Sequence, residues 1–291
     1  MKTSFLFTFA AFVLLAAGCE KQVQNGCADV SVHVNDFTIT KEDYPASKAT
    51  AIGSATSVKA ITLGFYTSAG VEQYKTTQIK DDTSTYTTFG EFSCSLPIGS
   101  YTLVILGYGH DVGDNLSLTS PTVAEYTSGR VWETFAATQA VNVTTTEALD
   151  LTATLDRIVA KLNLVSTDGV AANVQNIRMT FASGGKVFNP TSGLATATSG
   201  FSNTVGVSSS VGQTTSSVSY VLLNTDEQTM NVTIETLDSG GNTLFSKVVE
   251  NVPFQRNHIT RLTGAMYSAD ASAGSFQVNN SYSDDINSVN F

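Results

Sequence analysis

Phe92-Ser93-Cys94-Ser95-Leu96-Pro97-Ile98-Gly99-Ser100-Tyr101-Thr102-Leu103 runs straight into Val104-Ile105-Leu106. Phe92 and Leu96 lie on one side of an alternating pattern, which is the period of a half-buried strand. Pro97 fixes its own φ for a tight turn, and Gly99 supplies freedom for a positive φ beyond it. Tyr101 then opens an apolar run through Leu106, as expected of a strand covered on both faces. The stretch therefore reads as strand, turn, strand, and it sets the expectation for the rest of the chain.

Period-2 segments recur in both directions from that hairpin. Before it come Val30-Ser31-Val32-His33-Val34 and Ile61-Thr62-Leu63-Gly64-Phe65. After it come Val131 to Phe135, Val141-Asn142-Val143, Leu155 to Val165, Ile177 to Phe181 and Val218 to Leu223. Val232-Thr233-Ile234, Leu244 to Val249, His258 to Leu262 and Phe276-Gln277-Val278 complete the series. Gly and Asp turns such as Thr167-Asp168-Gly169 and Asp238-Ser239-Gly240-Gly241-Asn242 separate them. Many short strands with such spacing indicate an all-β chain of sandwiches. The Ala/Ser/Thr/Gly-rich stretches 41–60 and 191–217 read as long loops, with a short helix expected near Ala46 to Ala51. Thr146 to Asp150 reads as a crossover between modules, so the expected domains are 29–150 and 151–291.

Composition narrows the function. The 291 residues are 42% hydrophobic and 14% charged, with 15 Lys+Arg against 25 Asp+Glu and a formal charge of −10. Ordinary apolar content with few charges is not the signature of disorder. No basic stripe offers itself to phosphates, so nucleic acid is not an expected partner. After residue 18 no apolar run approaches the ~20 residues of a membrane helix.

The first 18 residues read as a targeting segment. Lys2 gives the positive start, Phe5 to Ala17 the short apolar run, and Ala16-Ala17-Gly18 the small-residue exit before Cys19. This start resembles a bacterial lipobox, which implies cleavage before Cys19 and acylation of Cys19. Ala16 stands where Leu is commonest, with Leu15 one place earlier. Two or more acyl chains anchor a protein stably without a spanning helix. Residues 19–28 then read as a polar tether. Cys27 and Cys94 are the remaining cysteines. Export permits a bridge between them, worth roughly 4 kcal/mol; two lone buried thiols are the alternative.

Two further stretches are specific. Leu155-Asp156-Arg157-Ile158-Val159-Ala160-Lys161-Leu162-Asn163-Leu164 reads as a core strand carrying a basic pair, Arg157 and Lys161. Arg256-Asn257-His258-Ile259-Thr260 through Gly264 follows a turn and alternates. The lipobox start, the Leu-Pro-x-Gly-x-Tyr hairpin, the Leu155 segment and the Arg256 segment occur in that order. Together they resemble the fimbrillin superfamily of Bacteroidetes, most closely its anchor and accessory lipoproteins. The resemblance implies two tandem transthyretin-like Greek-key β-sandwich domains after the lipoprotein signal peptide. It implies a structural subunit of surface fimbriae at the cell outer membrane, joined to other subunits by strand exchange and supporting adhesion to a host or bacterial surface ligand. It implies neither cofactor nor enzymatic activity. The tail 275–291 is a candidate donor strand, with Phe276 and Val278 alternating and Val289 and Phe291 alternating; a plain C-terminal strand of its own domain is the other reading. Lys41 and Lys48 lie in a loop where stalk subunits of the family are trimmed after a basic residue, but no Arg precedes Arg130, which favours an anchor or accessory subunit.

Chemistry-bearing residues are sparse. His33, His110 and His258 sit in separate expected elements. His110-Asp111-Val112-Gly113-Asp114-Asn115 offers oxygens but not the six to eight, with a late Glu, of a calcium loop. Ser183-Gly184-Gly185-Lys186 is too short for a phosphate loop. A surface glycan-binding lipoprotein of a polysaccharide-uptake system is the second reading, with Trp132, Tyr108 and Tyr126 as its aromatic platform.

Overall fold

The computed structural model describes residues 26–39, 48–51, 57–84, 86–111, 113, 115–268 and 275–279. Its regular elements are strands, apart from one 3-10 turn at Ser208–Ser210. The fold is all-β. Cys19 and the tether up to residue 25, together with Val289 and Phe291, lie outside the described residues.

The first module holds β1 (Cys27–Ile39), β2 (Lys48–Ala51), β3 (Ala60–Thr67), β4 (Glu72–Ile79), β5 (Glu91–Pro97), β6 (Gly99–Tyr108), β7 (Asn115–Ser120), β8 (Val123–Ser128), β9 (Thr134–Val143) and β10 (Leu149–Arg157). One folded-over sheet runs β2-β1-β10-β9-β6-β3-β4, with β5 also paired to β1. Its inner face buries Val30, Val32, Phe37, Leu63, Phe65, Leu103, Ile105 and Phe135. The hairpin residues Leu103, Val104, Ile105 and Leu106 are all 1% exposed or less, as the apolar run predicted. The Tyr101 hydroxyl donates to the Pro97 carbonyl at 2.8 Å and closes the turn. Gly99, however, has no positive φ. It is needed for space instead, since a Cβ there would lie 3.1 Å from the Tyr101 hydroxyl.

The second module holds β11 (Ala160–Ser166), β12 (Asn176–Phe181), β13 (Val187–Asn189), β14 (Leu194–Ala195), β15 (Phe201–Gly206), β16 (Ser216–Val221), β17 (Glu227–Leu237), β18 (Thr243–Gln255), β19 (Ile259–Gly264) and β20 (Gln277–Asn279). Sheets β16-β11-β19-β20 and β15-β12-β17-β18 enclose a core that includes Leu162, Leu164, Met179, Phe181, Ile234 and Leu262. The modules share a topological device. β1 pairs in parallel with β10, and β11 pairs in parallel with β19.

Several expectations change. The boundary expected at Asp150 falls inside β10, whose length pairs with β1, so the first module's sheet runs on to Arg157. Thr146 to Asp150 accordingly leads from β9 into β10 rather than between modules. The expected single strand through Leu155 to Leu164 is two strands, because Ile158 and Val159 leave the ladder to cross between modules. Of the helix expected near Ala46 to Ala51, Lys48–Ala51 is strand β2, paired to β1, and residues 46 and 47 lie outside the described residues. Within 191–217, β15 pairs along its whole length with β12. Its Ser/Thr-rich composition hides a strand whose Asn203 amide donates inward to Ser219 at 2.6 Å.

A third core joins the modules. It contains Tyr66, Tyr108, Leu116, Leu118 and Tyr126 from the first module and Phe188, Ala195 and Leu222 from the second, with Ile158 and Val159 between them. A small sheet runs β14-β13-β8-β7, so strands of both modules hydrogen-bond to one another. Apolar side chains of both modules are thus buried together in one shared core.

Candidate functional site

The chemistry of the chain gathers at this junction. Arg157 ends β10 and points inward, where its guanidinium meets the Glu133 carboxylate at 2.6 Å. The two side chains are 5% and 8% exposed. The Arg157 guanidinium also stands 5.8 Å from the centre of the Phe135 ring. A buried cation needs such partners, because desolvation alone would expel it.

The Arg256-Asn257-His258 motif holds the crossover from the other side. Asn257 adopts φ 64°, and its amide donates to the Val159 carbonyl at 2.9 Å. The Lys161 amide donates to the His258 carbonyl at 2.9 Å, and His258 Nδ1 donates to the Arg256 carbonyl at 2.9 Å. Arg256 reaches the Ser192 carbonyl and the Asp226 carboxylate, each at 2.7 Å. The motif thus works as a clamp on the link between modules. The basic pair of the sequence separates: Arg157 is internal, whereas Lys161 lines a cavity.

Three hollows surround the junction. β9 and β10 pair at Asp156–Ala136 and Arg157–Phe135 and then diverge. Their divergence leaves a seam of about 210 Å³ between residues 137–139 and 152–154, floored by Leu103 and Ile105. The seam continues through Ala137, Thr138 and Thr154 into a cavity of about 700 Å³ beneath the Ser192 loop and the Arg256 clamp. A separate cavity of about 580 Å³ is lined by Lys59, His110, Arg130, Trp132, Lys161 and Tyr220. There the Arg130 guanidinium lies 3.7 Å from the Trp132 ring centre.

The histidines do not converge. His33 hydrogen-bonds Glu91 through Nδ1 and lies 2.8 Å from Asp150 through Nε2, across three neighbouring strands. His110 is at the 580 Å³ cavity and His258 in the clamp. Among the described residues no group of three or more His, Cys, Asp or Glu could hold a metal ion. Val112 and Asp114 of the His110 loop lie outside the described residues. Ser183 to Lys186 is a turn, with Gly184 at φ +79° and its amide donating to Asn224.

The expected aromatic platform does not form. Tyr108 and Tyr126 are 5% and 2% exposed and meet edge to face within the third core. Trp132 lines the 580 Å³ cavity. Cys27 and Cys94 are both free thiols. On paired β1 and β5, Cys27 stands opposite Pro97 and Cys94 opposite Val30. An offset of three residues puts them on opposite faces, which the reach of a disulfide does not span. Burial pushes the Cys94 thiol up to about 11.

In the tail, β20 pairs with β19 through Leu262–Val278 and its two neighbours. All three β20 residues are exposed. Phe276 alone packs inward, over Gly264, where a Cβ would lie 2.7 Å from its ring. That the Arg256 motif clamps the crossover, that Glu133 pairs with Arg157 and that Arg130 stacks on Trp132 emerge only from the fold. The Arg130-Val131-Trp132-Glu133 stretch, with two opposite charges around a tryptophan in a charge-poor chain, was the available signal.

A family model described as a family of unknown function (DUF6562) matches residues 112–290. No curated protein matches the chain. Among solved structures, it is similar to the fimbrial anchor protein from Porphyromonas gingivalis, at 13% identity and a TM-score of 0.48 over 87% of this chain and 98% of that one. A fimbrial assembly protein from Parabacteroides distasonis is 12% identical, with a TM-score of 0.42 over 87% and 96%. A candidate adhesin from Bacteroides ovatus is 12% identical, with a TM-score of 0.49 over 76% and 77%.

Proposed function

The chain belongs to the DUF6562 family of unknown function, and from that premise we propose that it is a structural subunit of surface fimbriae, of anchor or accessory type. It is held at the outer membrane by acyl chains on Cys19 and joined to other subunits by strand exchange. The observation that carries this reading is the seam between β9 and β10. Two strands that part after two residue pairs leave main-chain donors and acceptors on both sides of a trough with an apolar floor. An extended segment laid there gains backbone hydrogen bonds from the edges and pockets for alternate side chains. The weak hold on β20 suits the complementary role of donor. Its three residues contribute main-chain bonds and little side-chain burial, so releasing them costs about 0.5–1.5 kcal/mol per bond.

The lipid tether rests on the Ala16-Ala17-Gly18-Cys19 exit. No helix among the described residues is long and apolar enough to cross a membrane. Two variants test the reading in cells that display fimbriae. Deleting 275–291 should abolish donation, and Thr138→Arg with Thr152→Arg should block the seam while leaving the fold intact. Loss of co-purifying subunits is expected in both, with unchanged thermal unfolding in the seam variant; the deletion also removes Phe276 from the second core. Normal fimbriae in both variants would reject strand exchange through these elements. Mass spectrometry of the native N-terminus tests the tether: acylated Cys19 is expected, and an unmodified or trimmed start would reject it.

A further inference from the structure

We propose that the 580 Å³ cavity at the module junction binds a carboxylate-bearing sugar, of the uronic-acid class, through Arg130. The proposal stands whether or not the fimbrial reading does. It begins from charge. The chain carries −10 overall, yet three of its 15 Lys and Arg residues, Lys59, Arg130 and Lys161, line this one hollow. Two acidic residues also line it, Asp111 and Glu133. Glu133 pairs with Arg157 at 2.6 Å.

Arg130 is arranged for capture. Its guanidinium lies flat enough on Trp132 to sit 3.7 Å from the ring centre. Gly109 packs against the same indole, where a Cβ would come 2.8 Å from Cε3. A guanidinium supported on an aromatic ring keeps its N–H edge open, and that edge matches the two oxygens of a carboxylate. Among the described residues Arg130 makes no ion pair that would occupy this edge.

The remaining wall selects the body attached to the carboxylate. Val218 and Tyr220 from β16 and Val131 from the first module give apolar surface beside the cations. Lys161 stands opposite Tyr220 in the β11–β16 ladder, so charge and ring come to the cavity from neighbouring strands. An apolar wall beside fixed cations suits a pyranose, whose C–H face is apolar and whose uronate carboxylate is not. The volume falls within the usual range of small-ligand sites. With Gly109 and Arg130 both against the indole, the sugar meets the guanidinium edge and Tyr220 rather than stacking on Trp132.

Trp132 is the only tryptophan in the chain, so tryptophan fluorescence, excited where tyrosine does not absorb, reports on this cavity. The full mature chain is titrated with galacturonic acid, with galactose as a neutral ring and acetate as a carboxylate without a ring, and calorimetry repeats each titration. Saturable binding of galacturonic acid, at least about tenfold tighter than either control, is expected. Arg130→Gln and Lys161→Gln should each weaken it by about tenfold with an unchanged circular dichroism spectrum. Absence of saturation at about 10 mM galacturonic acid would overturn the proposal, as would equal binding of galactose or of acetate. Undiminished binding by Arg130→Gln would also overturn it.

Discussion

Removing the Glu133 carboxylate should cost more than any surface change in this protein. Glu133 and Arg157 meet at 2.6 Å with 8% and 5% of their side chains exposed. In Glu133→Ala the guanidinium remains buried at the junction and loses the Glu133 carboxylate. Breaking one side of such a pair costs about 3–5 kcal/mol, a large fraction of a typical 5–15 kcal/mol stability. With a urea slope of about 3 kcal/mol/M, the unfolding midpoint should fall by about 1–1.7 M. Glu133→Leu with Arg157→Met removes both charges and should recover most of that loss, because two apolar groups replace a desolvated pair. Urea unfolding followed by Trp132 fluorescence and by circular dichroism measures both variants. The two probes should coincide in one transition, since the third core ties the modules together. A loss under about 1 kcal/mol in Glu133→Ala, or a double variant no better than the single, would refute the reasoning.

Three further outcomes follow from individual contacts. Phe188 is fully buried in the third core, so Phe188→Ala should cost about 3–5 kcal/mol and lower the unfolding of both modules together, as calorimetry would show by a single shifted peak. Asp168 is pushed up by burial, but the amides of Met266, Tyr267 and Ser268 more than offset this and hold its carboxyl below the usual range. A folded pKa below the unfolded one means stabilisation present above about pH 4 and lost as pH falls through the folded value; Asp168→Ala should remove that acid dependence and about 1–3 kcal/mol at neutral pH, and an unchanged acid limb in urea titrations would count against it. A thiol assay on denatured, unreduced mature protein should find Cys27 and Cys94 both free, whereas no titratable thiol would mean they pair despite their register.

What could be read from the sequence was the local pattern. Val30 to Val34 and Ile61 to Phe65 alternate because one side of each faces the first core, whereas Tyr101 to Leu106 runs apolar because Tyr101, Leu103 and Ile105 face the first core and Val104 and Leu106 the third; each is a strand. Ile158 and Val159 misled because their apolarity serves the third core rather than a ladder, and periodicity does not distinguish the two burials. Phe188, Ala195 and Leu222 look like ordinary strand residues until the fold places them against Tyr126 and Leu118. The clamp was visible as a motif but not as a device. Its work depends on Asn257 at φ 64° and on a main-chain bond to Val159, which side-chain identities do not announce. Nothing in the spacing of Tyr108 and Tyr126 shows that both rings turn inward to meet edge to face. Long-range partners, such as Arg157 for Glu133, depend on which strands become neighbours, and that is a property of the whole topology.

The central claim is that neighbouring subunits meet this one by laying a strand into the seam between β9 and β10. A photo-crosslinking residue placed at Thr152, which is exposed on the seam rim, tests it in cells that carry assembled fimbriae. The account predicts an adduct in which mass spectrometry finds an extended terminal segment of another subunit. Fimbriae that assemble normally while Thr152 yields no intermolecular adduct would contradict it.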